Sequence, residues 1–242
     1  MVPLQVVAQQ VVPQQVVAQA QPNCMVRNDW ICPEYLRSRS AILEQALTQH
    51  VSITVVSVLL GLVIAFPLAL LARRYRNLEW FVVGSTTTLY TIPSLALFAL
   101  LLPLTGITST TVVVGLVLYS LTILVRNILE GFRAVPEDVR ESALGMGYGR
   151  TRMLFRVEVP LALPSIMAGL RVATVSTVAL TTVGVIVGNG GLGNLLKEGV
   201  DTQFRPQVLT ASVLCVSLAV FFDLILVGTQ RVLTPWTRTG AA

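Results

Sequence analysis

The sequence predicts an all-α membrane protein with five transmembrane helices, the N-terminus outside and the C-terminus in the cytoplasm. Three observations carry that reading. First, 54% of the 242 residues are hydrophobic and only 12% are charged, with a mean hydropathy of +0.74; an average soluble domain is about 25% charged. Second, five stretches reach the roughly 20 apolar residues that a spanning helix needs. Third, the arginines collect in alternate loops, as the positive-inside rule requires of cytoplasmic segments.

Taken in order, residues 1–22 (MVPLQVVAQQVVPQQVVAQAQP) are low in complexity and repeat QVVAQ. Pro and Gln interrupt every apolar run, so this stretch is a poor signal peptide and a poor span. Residues 1–40 as a whole read as a disordered N-terminal extension, with Met25 as an alternative start. An amphipathic piece from Trp30 to Gln49 reads as a helix lying at the membrane interface. The apolar body that holds the spans is 41–235. Its first span is 50–72, closed by Arg73, Arg74 and Arg76. No charge occurs from Trp80 to Val125, too long a run for one helix, and Pro103-Leu104-Thr105-Gly106 divides it into spans 81–102 and 107–128. A loop, 129–162, leads to span 163–187, which carries Arg171. The last span, 206–227, carries Asp223, and 236–242 is a C-terminal tail.

With five spans, Arg73, Arg74, Arg76, Arg133, Arg140, Arg150, Arg152, Arg156, Arg231 and Arg238 all fall on one side. The other side holds Lys197 and Arg205, balanced by Glu198 and Asp201, together with Arg27, Arg37 and Arg39 of the extension. Topology therefore accounts for the net charge of +5, and a nucleic-acid partner loses its support. One His (His50) and three Cys (Cys24, Cys32, Cys215) with no CxxC leave almost nothing from which to build a zinc site or a Cys/His nucleophile. Cys24 and Cys32 have the option of pairing if the extension lies in an oxidising compartment; Cys215, inside a span, reads as inert.

The loop 129–162 is longer than a connection needs, and long loops are usually functional. Pro136 suits the first position of a helix, and Glu137 and Asp138 suit its first turn. Ser142 and Ala143 are small enough for close approach. Gly145, Gly147 and Gly149 break the helix, and a second piece, Thr151–Val157, ends before Pro160 and Pro164. The loop thus predicts two short helices joined by a glycine turn. Two uses fit such a surface: docking of a soluble partner, or rest on lipid headgroups.

Within it, Glu141-Ser142-Ala143, three residues, Gly147, nine residues and Val157-Glu158-Val159-Pro160 resemble the EAA motif, EAA-x3-G-x9-I-x-L-P, of the membrane subunits of binding-protein-dependent ABC importers. Ser142 replaces the second Ala, and Val157 and Val159 replace Ile and Leu. YTIPSLALF (Tyr90–Phe98), GMGYG (Gly145–Gly149), VEVPLALPSIMAGLR (Val157–Arg171) and ATVSTVALTTVGVIVGNGGLGNLL (Ala173–Leu196) resemble the branch that imports glycine betaine, carnitine and choline. The likeness covers roughly residues 45–235.

The resemblance implies the type I ABC importer permease fold in a bacterial cytoplasmic (inner) membrane. It also implies four sorts of partner: ATPase subunits, a second permease subunit forming a homo- or heterodimer, an extracytoplasmic solute-binding protein, and membrane lipid. Glu141, Ser142, Ala143, Gly147, Val157, Val159 and Pro160 would be the coupling elements. The chain contains no GxxxxGK[ST], so it is read as no enzyme and as holding no cofactor; ATP with Mg would be bound by the partner ATPase.

Tyr90, Pro93 and Tyr119 are candidates for the translocation path. A proline frees carbonyls to line a cavity, and aromatic faces attract a quaternary ammonium; the alternative is ordinary packing. Arg171 and Asp223 lie near the cytoplasmic interface, which favours snorkelling or pairing to a loop charge over substrate contact. Gly188–Gly193 reads as a re-entrant or close-packed turn at the outer face. The rivals are a permease of the same architecture for methionine or another amino acid, an ion-gradient-driven secondary transporter, and a membrane scaffold.

Overall fold

The computed structural model describes residues 23–238 and is built from helices. They are α1 (Pro33–Ser38), α2 (Ser40–Arg74), α3 (Arg76–Thr91), α4 (Ser94–Thr105), α5 (Ser109–Arg133), α6 (Glu137–Gly145), α7 (Arg150–Met153), α8 (Val159–Thr181), α9 (Leu192–Asp201) and α10 (Arg205–Leu233). A π-helical turn, Leu154–Glu158, joins α7 to α8, and a 3₁₀ turn, Thr182–Val187, follows α8. Residues 1–22, just over half of the expected disordered extension, and 239–242 of the expected C-terminal tail lie outside the described residues.

Among the described residues, four continuous helices are long and apolar enough to cross a membrane: Ser40–Arg74, Ser109–Arg133, Arg150–Val187 and Arg205–Leu233. The expected second span is different. It consists of α3 and α4, bent by 103° at Ile92-Pro93. Pro93 has no N–H to continue the ladder and sits at φ −55°, ψ 136°, just before α4 begins. Side-chain contacts show what this pair connects. At one end, Glu79 of α3 pairs with Arg133 of α5, and Arg73 of α2 pairs with Glu158. At the other, Ser109 beyond the end of α4 donates to Asn189 (2.8 Å), as does Gln49 of α2 (3.3 Å). The bent pair therefore runs from one end of the bundle to the other and, counted as one span, brings the candidate spans among the described residues to five.

Two other expectations change. The amphipathic piece 30–49 is not a separate interfacial helix: from Ser40 on it is the first part of α2, whose 35 residues extend about 52 Å, well beyond a hydrocarbon core of about 30 Å. Nor does the second loop helix end before Pro160. Arg150–Val187 is one continuous helical path. Pro160 falls at the start of α8, and Pro164 lies within it. The π turn lies immediately upstream, where the i→i−4 ladder would otherwise need the missing Pro160 N–H.

Small residues set the packing. Ala65, Ala69 and Ala72 of α2 are fully buried in one cluster with Leu124, Ile128 and Phe132 of α5 and Ala162 and Ile166 of α8. A second cluster near the other end joins Ile53, Phe98, Val112, Leu116 and Val187. Polar contacts join α2 to α8 and α9. Leu192 N–H donates to His50 Nδ1 (3.3 Å), which leaves the proton on Nε2 for the Val178 carbonyl (3.0 Å). Thr54 meets Thr181 at 3.4 Å, and Thr181 donates to the Thr177 carbonyl. The glycine turn 188–193 is close-packed, as its composition predicts. Gly191 has φ +55°, and a Cβ there would lie 2.7 Å from His50 Cβ, so only glycine fits.

Candidate functional site

The EAA-like motif folds around one short helix and one buried carboxylate. Helix α6 has nine residues with Glu137 and Asp138 in its first turn, where carboxylates face unpaired backbone N–H groups. Pro136 stands one residue before the helix rather than inside it. At the other end, Tyr148 N–H donates to the Ala143 carbonyl (3.0 Å) and Gly147 N–H to Leu144 (2.9 Å). Gly147 has φ +79°. This is a Schellman ending with Gly147 at the left-handed position, which explains why that one glycine of the three is needed for the turn.

The motif residues divide by exposure. Glu141, Ser142 and Gly147 are exposed. Ala143 is not available to a partner: it is 1% exposed and faces the protein. Val157, Val159 and Pro160 are half-buried, and Val159 packs on the cluster of α2, α5 and α8. Around the exposed motif residues stand Val139, Leu144, Met146 and Phe155, all exposed apolar side chains. The motif spacing does not single these out, although an apolar residue in a charged loop is a signal in itself.

Glu158 is the residue that sequence reasoning passed over. Its side chain is 4% exposed. Arg73, at the end of α2, grips it with both terminal nitrogens, one at 2.9 Å. Arg140 of α6 donates to it through Nε at 3.0 Å, to Glu137 at 2.8 Å and to the Phe132 carbonyl of α5 at 2.6 Å. The Arg73 guanidinium also lies 5.0 Å over the Phe132 ring, a cation–π contact. One carboxylate thus ties α6 to the ends of α2, α5 and α8. The available signal was a lone acid among Arg150, Arg152 and Arg156, next to an apolar span. Such an acid has to be paired.

The candidate path residues do come together. Tyr90 and Tyr119 meet edge to face, 5.7 Å between centroids. The Tyr119 hydroxyl donates to the Ile92 carbonyl, a group exposed by the break at Pro93. Tyr119 is 6% exposed and Tyr90 47% exposed. Tyr119 therefore holds the break, and Tyr90 offers the open aromatic face. Arg171 and Asp223 do not pair to loop charges. They pair with each other, Nε–Oδ1 2.8 Å and Nη2–Oδ2 3.0 Å, and join α8 to α10.

Comparison with known proteins places this geometry. The family described as "Binding-protein-dependent transport system inner membrane component" matches residues 51–239. The glycine betaine/carnitine/choline transport system permease protein OpuCD of Bacillus subtilis is 35% identical over 202 residues, 83% of this chain and 88% of the relative. The osmoprotectant import permease protein OsmW of Salmonella typhimurium is 35% identical over 207 residues, 83% and 96% of the two chains. The choline transport system permease protein OpuBB of Bacillus subtilis is 31% identical over 202 residues, 84% and 93%. Among solved structures, an inward-facing MetNI methionine ABC transporter superposes with a TM-score of 0.72 at 21% identity, covering 81% of this chain and 98% of that one. An amino acid ABC transporter gives 0.63 at 15% identity, covering 81% and 96%. These two share the fold of ABC importer permeases. The chain belongs to the family of inner-membrane components of binding-protein-dependent transport systems.

Proposed function

We propose that this chain is the permease subunit of an ATP-driven importer for quaternary-amine osmoprotectants of the glycine betaine, choline and carnitine type. The observation that supports it best is identity of 31–35% along more than four-fifths of the chain to relatives named for those solutes. The fold alone does not separate this reading from methionine or another amino acid, the runner-up solutes.

In this reading the N-terminus lies outside and the arginine-rich end faces the cytoplasm. Two ATPase subunits, which bind the ATP and Mg, sit beneath a pair of permease subunits. A solute-binding protein delivers cargo from the other side. Helix α6 enters a groove of one ATPase, with Glu141 making a polar contact and Leu144 and Met146 supplying apolar ones. Because Arg140 ties α6 to Glu158 and through it to α2 and α8, displacement of α6 moves those spans as bodies rather than flexing a loop. Tyr90 offers its face to the passing ammonium group.

The test is uptake in proteoliposomes holding this chain with its ATPase and binding-protein partners. ATP-dependent accumulation of labelled betaine, choline or carnitine is expected. Uptake of methionine in their place would favour the runner-up, and uptake driven by an ion gradient without ATP would overturn the coupling scheme.

A further inference from the structure

The segment just before the family-matched region, which begins at residue 51, is built around a covalent loop. Cys24 and Cys32 are joined by a disulfide, with Cα atoms 5.4 Å apart and eight residues of separation. Asn23, one residue before the loop, caps its first turn, accepting from Met25 N–H (2.9 Å) and Val26 N–H (3.1 Å). At its tip, Asn28 has φ +57° and projects its amide onto the connection between α9 and α10. There Nδ2 donates to the Gln203 carbonyl (2.9 Å) and Oδ1 accepts from Arg205 N–H (2.8 Å).

That connection is itself held in an uncommon form. Phe204 N–H bonds to Gly199 and Gln203 N–H to Val200, a Schellman ending whose left-handed position is taken by Gln203 at φ +54° instead of the usual glycine. The loop supplies the restraint. Arg205 lies 5.7 Å from the Trp30 ring, and Tyr35 meets Phe204 edge to face at 5.5 Å. Cys32 and Tyr35 are buried with Leu43 of α2, Leu195 of α9 and Ala211 of α10. The loop therefore clasps the α9–α10 hairpin to the start of α2, at the end of the molecule away from the arginine-rich loops.

We propose that Cys24 and Cys32 are an oxidative modification site, and that closing their disulfide outside the membrane locks the α9–α10 hairpin against α2 in the form that supports uptake. The proposal rests on the orientation given under Proposed function. The oxidant is a disulfide-bearing protein of the extracytoplasmic compartment. One clasp thiolate attacks its disulfide, forms a mixed disulfide and displaces one of its thiolates. The second clasp thiolate then attacks the clasp sulfur of that mixed disulfide and releases the other. The clasp gives up two electrons and two protons, and the oxidant leaves as a dithiol. Asn28 is a positioning residue: it carries the constraint from the ring to the hairpin.

The test uses the full chain in intact cells, in a Cys215→Ala background so that only the clasp reports. Maleimide–polyethylene glycol should add no mass after denaturation alone, and two adducts after treatment with a membrane-impermeant phosphine. In membranes, reduction should speed hydrogen exchange at the Arg205 amide by on the order of tenfold to a hundredfold, as expected when a short closed loop is opened. Betaine uptake should fall at least about threefold, following the lost closure constraint, on reduction of the wild type, in Cys24→Ser/Cys32→Ser, and in Asn28→Ala with its disulfide intact. Adducts without phosphine would show that the site is not oxidised, and unchanged exchange and uptake on reduction would show that it is no lock; either overturns the proposal. A bond reduced only after permeabilisation would overturn the outside placement. Intact clasp results with no uptake of any osmoprotectant would instead count against the substrate reading alone.

Discussion

Replacing Glu158 by Gln removes one negative charge and leaves the shape nearly unchanged. In the native chain that carboxylate is 4% exposed and answers two guanidiniums, Arg140 at 18% and Arg73 at 30% side-chain exposure. Stripping one partner from a buried ionic cluster costs about 3–5 kcal/mol. The lower end applies, because Arg73 retains access to solvent and Arg140 keeps Glu137 and the Phe132 carbonyl. About 3 kcal/mol corresponds to a fall in Tm of roughly 6–12 °C for a chain of this size. Thermal unfolding of the detergent-solubilised protein measures it. Function should suffer beyond stability: below the lowered Tm, ATP hydrolysis by the assembled transporter should continue while uptake per ATP falls, since α6 moves without α2 and α8. The double variant Arg140→Gln/Glu158→Gln should lose less than the sum of the two single variants, by about 1–2 kcal/mol. A Glu158→Gln protein with unchanged Tm and full uptake would refute the idea that this carboxylate ties the loop to the spans.

Other substitutions separate surface from framework. Glu141→Arg should leave Tm unchanged, because Glu141 is exposed, and should reduce co-purification of the ATPase by at least about tenfold, the effect of losing a charged contact at an interface. Gly147→Ala should cost about 1–2 kcal/mol, since φ +79° is unfavourable for a residue with a Cβ; Gly147→Asn should be milder, and thermal unfolding ranks the pair. Tyr119→Phe leaves the Ile92 carbonyl without its donor, at about 1–3 kcal/mol. It should slow transport by loosening the break at Pro93, whereas Tyr90→Phe, which keeps the aromatic face, should transport near the wild-type rate in the same uptake assay.

The parts legible in the sequence were those fixed by local rules. Apolar length located α2, α5, α8 and α10 as elements, since each carries a run long enough to span, but not their ends, which lie up to ten residues from those expected. Pro93 marked a weak point in the second span. What Pro93 alone does not say is that the chain turns by 103° there. At the bend the Ile92 carbonyl finds its donor in the hydroxyl of Tyr119, 27 residues on, a partner that no local rule names. Proline at 160 misled in the opposite sense: it marks a helix end by local rules, but the π turn at Leu154–Glu158 absorbs the missing N–H and the helix runs on.

The site was half legible for the same reason. Motif spacing located α6, Glu141 and Gly147. It gave Ala143 to a partner, whereas packing turns Ala143 inward. Glu158 was hidden because its two cationic partners are 18 and 85 residues away in sequence, and no periodicity links positions so separated. The disulfide of Cys24 and Cys32 stayed an open option, since pairing depends on a compartment that residue spacing does not name.

The measurement that bears most directly on α6 as the coupling element is site-specific photo-crosslinking from Met146, which is 69% exposed at its end. A benzophenone amino acid placed there, in membranes containing the whole transporter, should crosslink to the ATPase subunit, and the yield should change when ATP is added. Crosslinks to lipid alone, unaltered by ATP or by removal of the ATPase, would make α6 an interfacial helix resting on headgroups and would contradict the account.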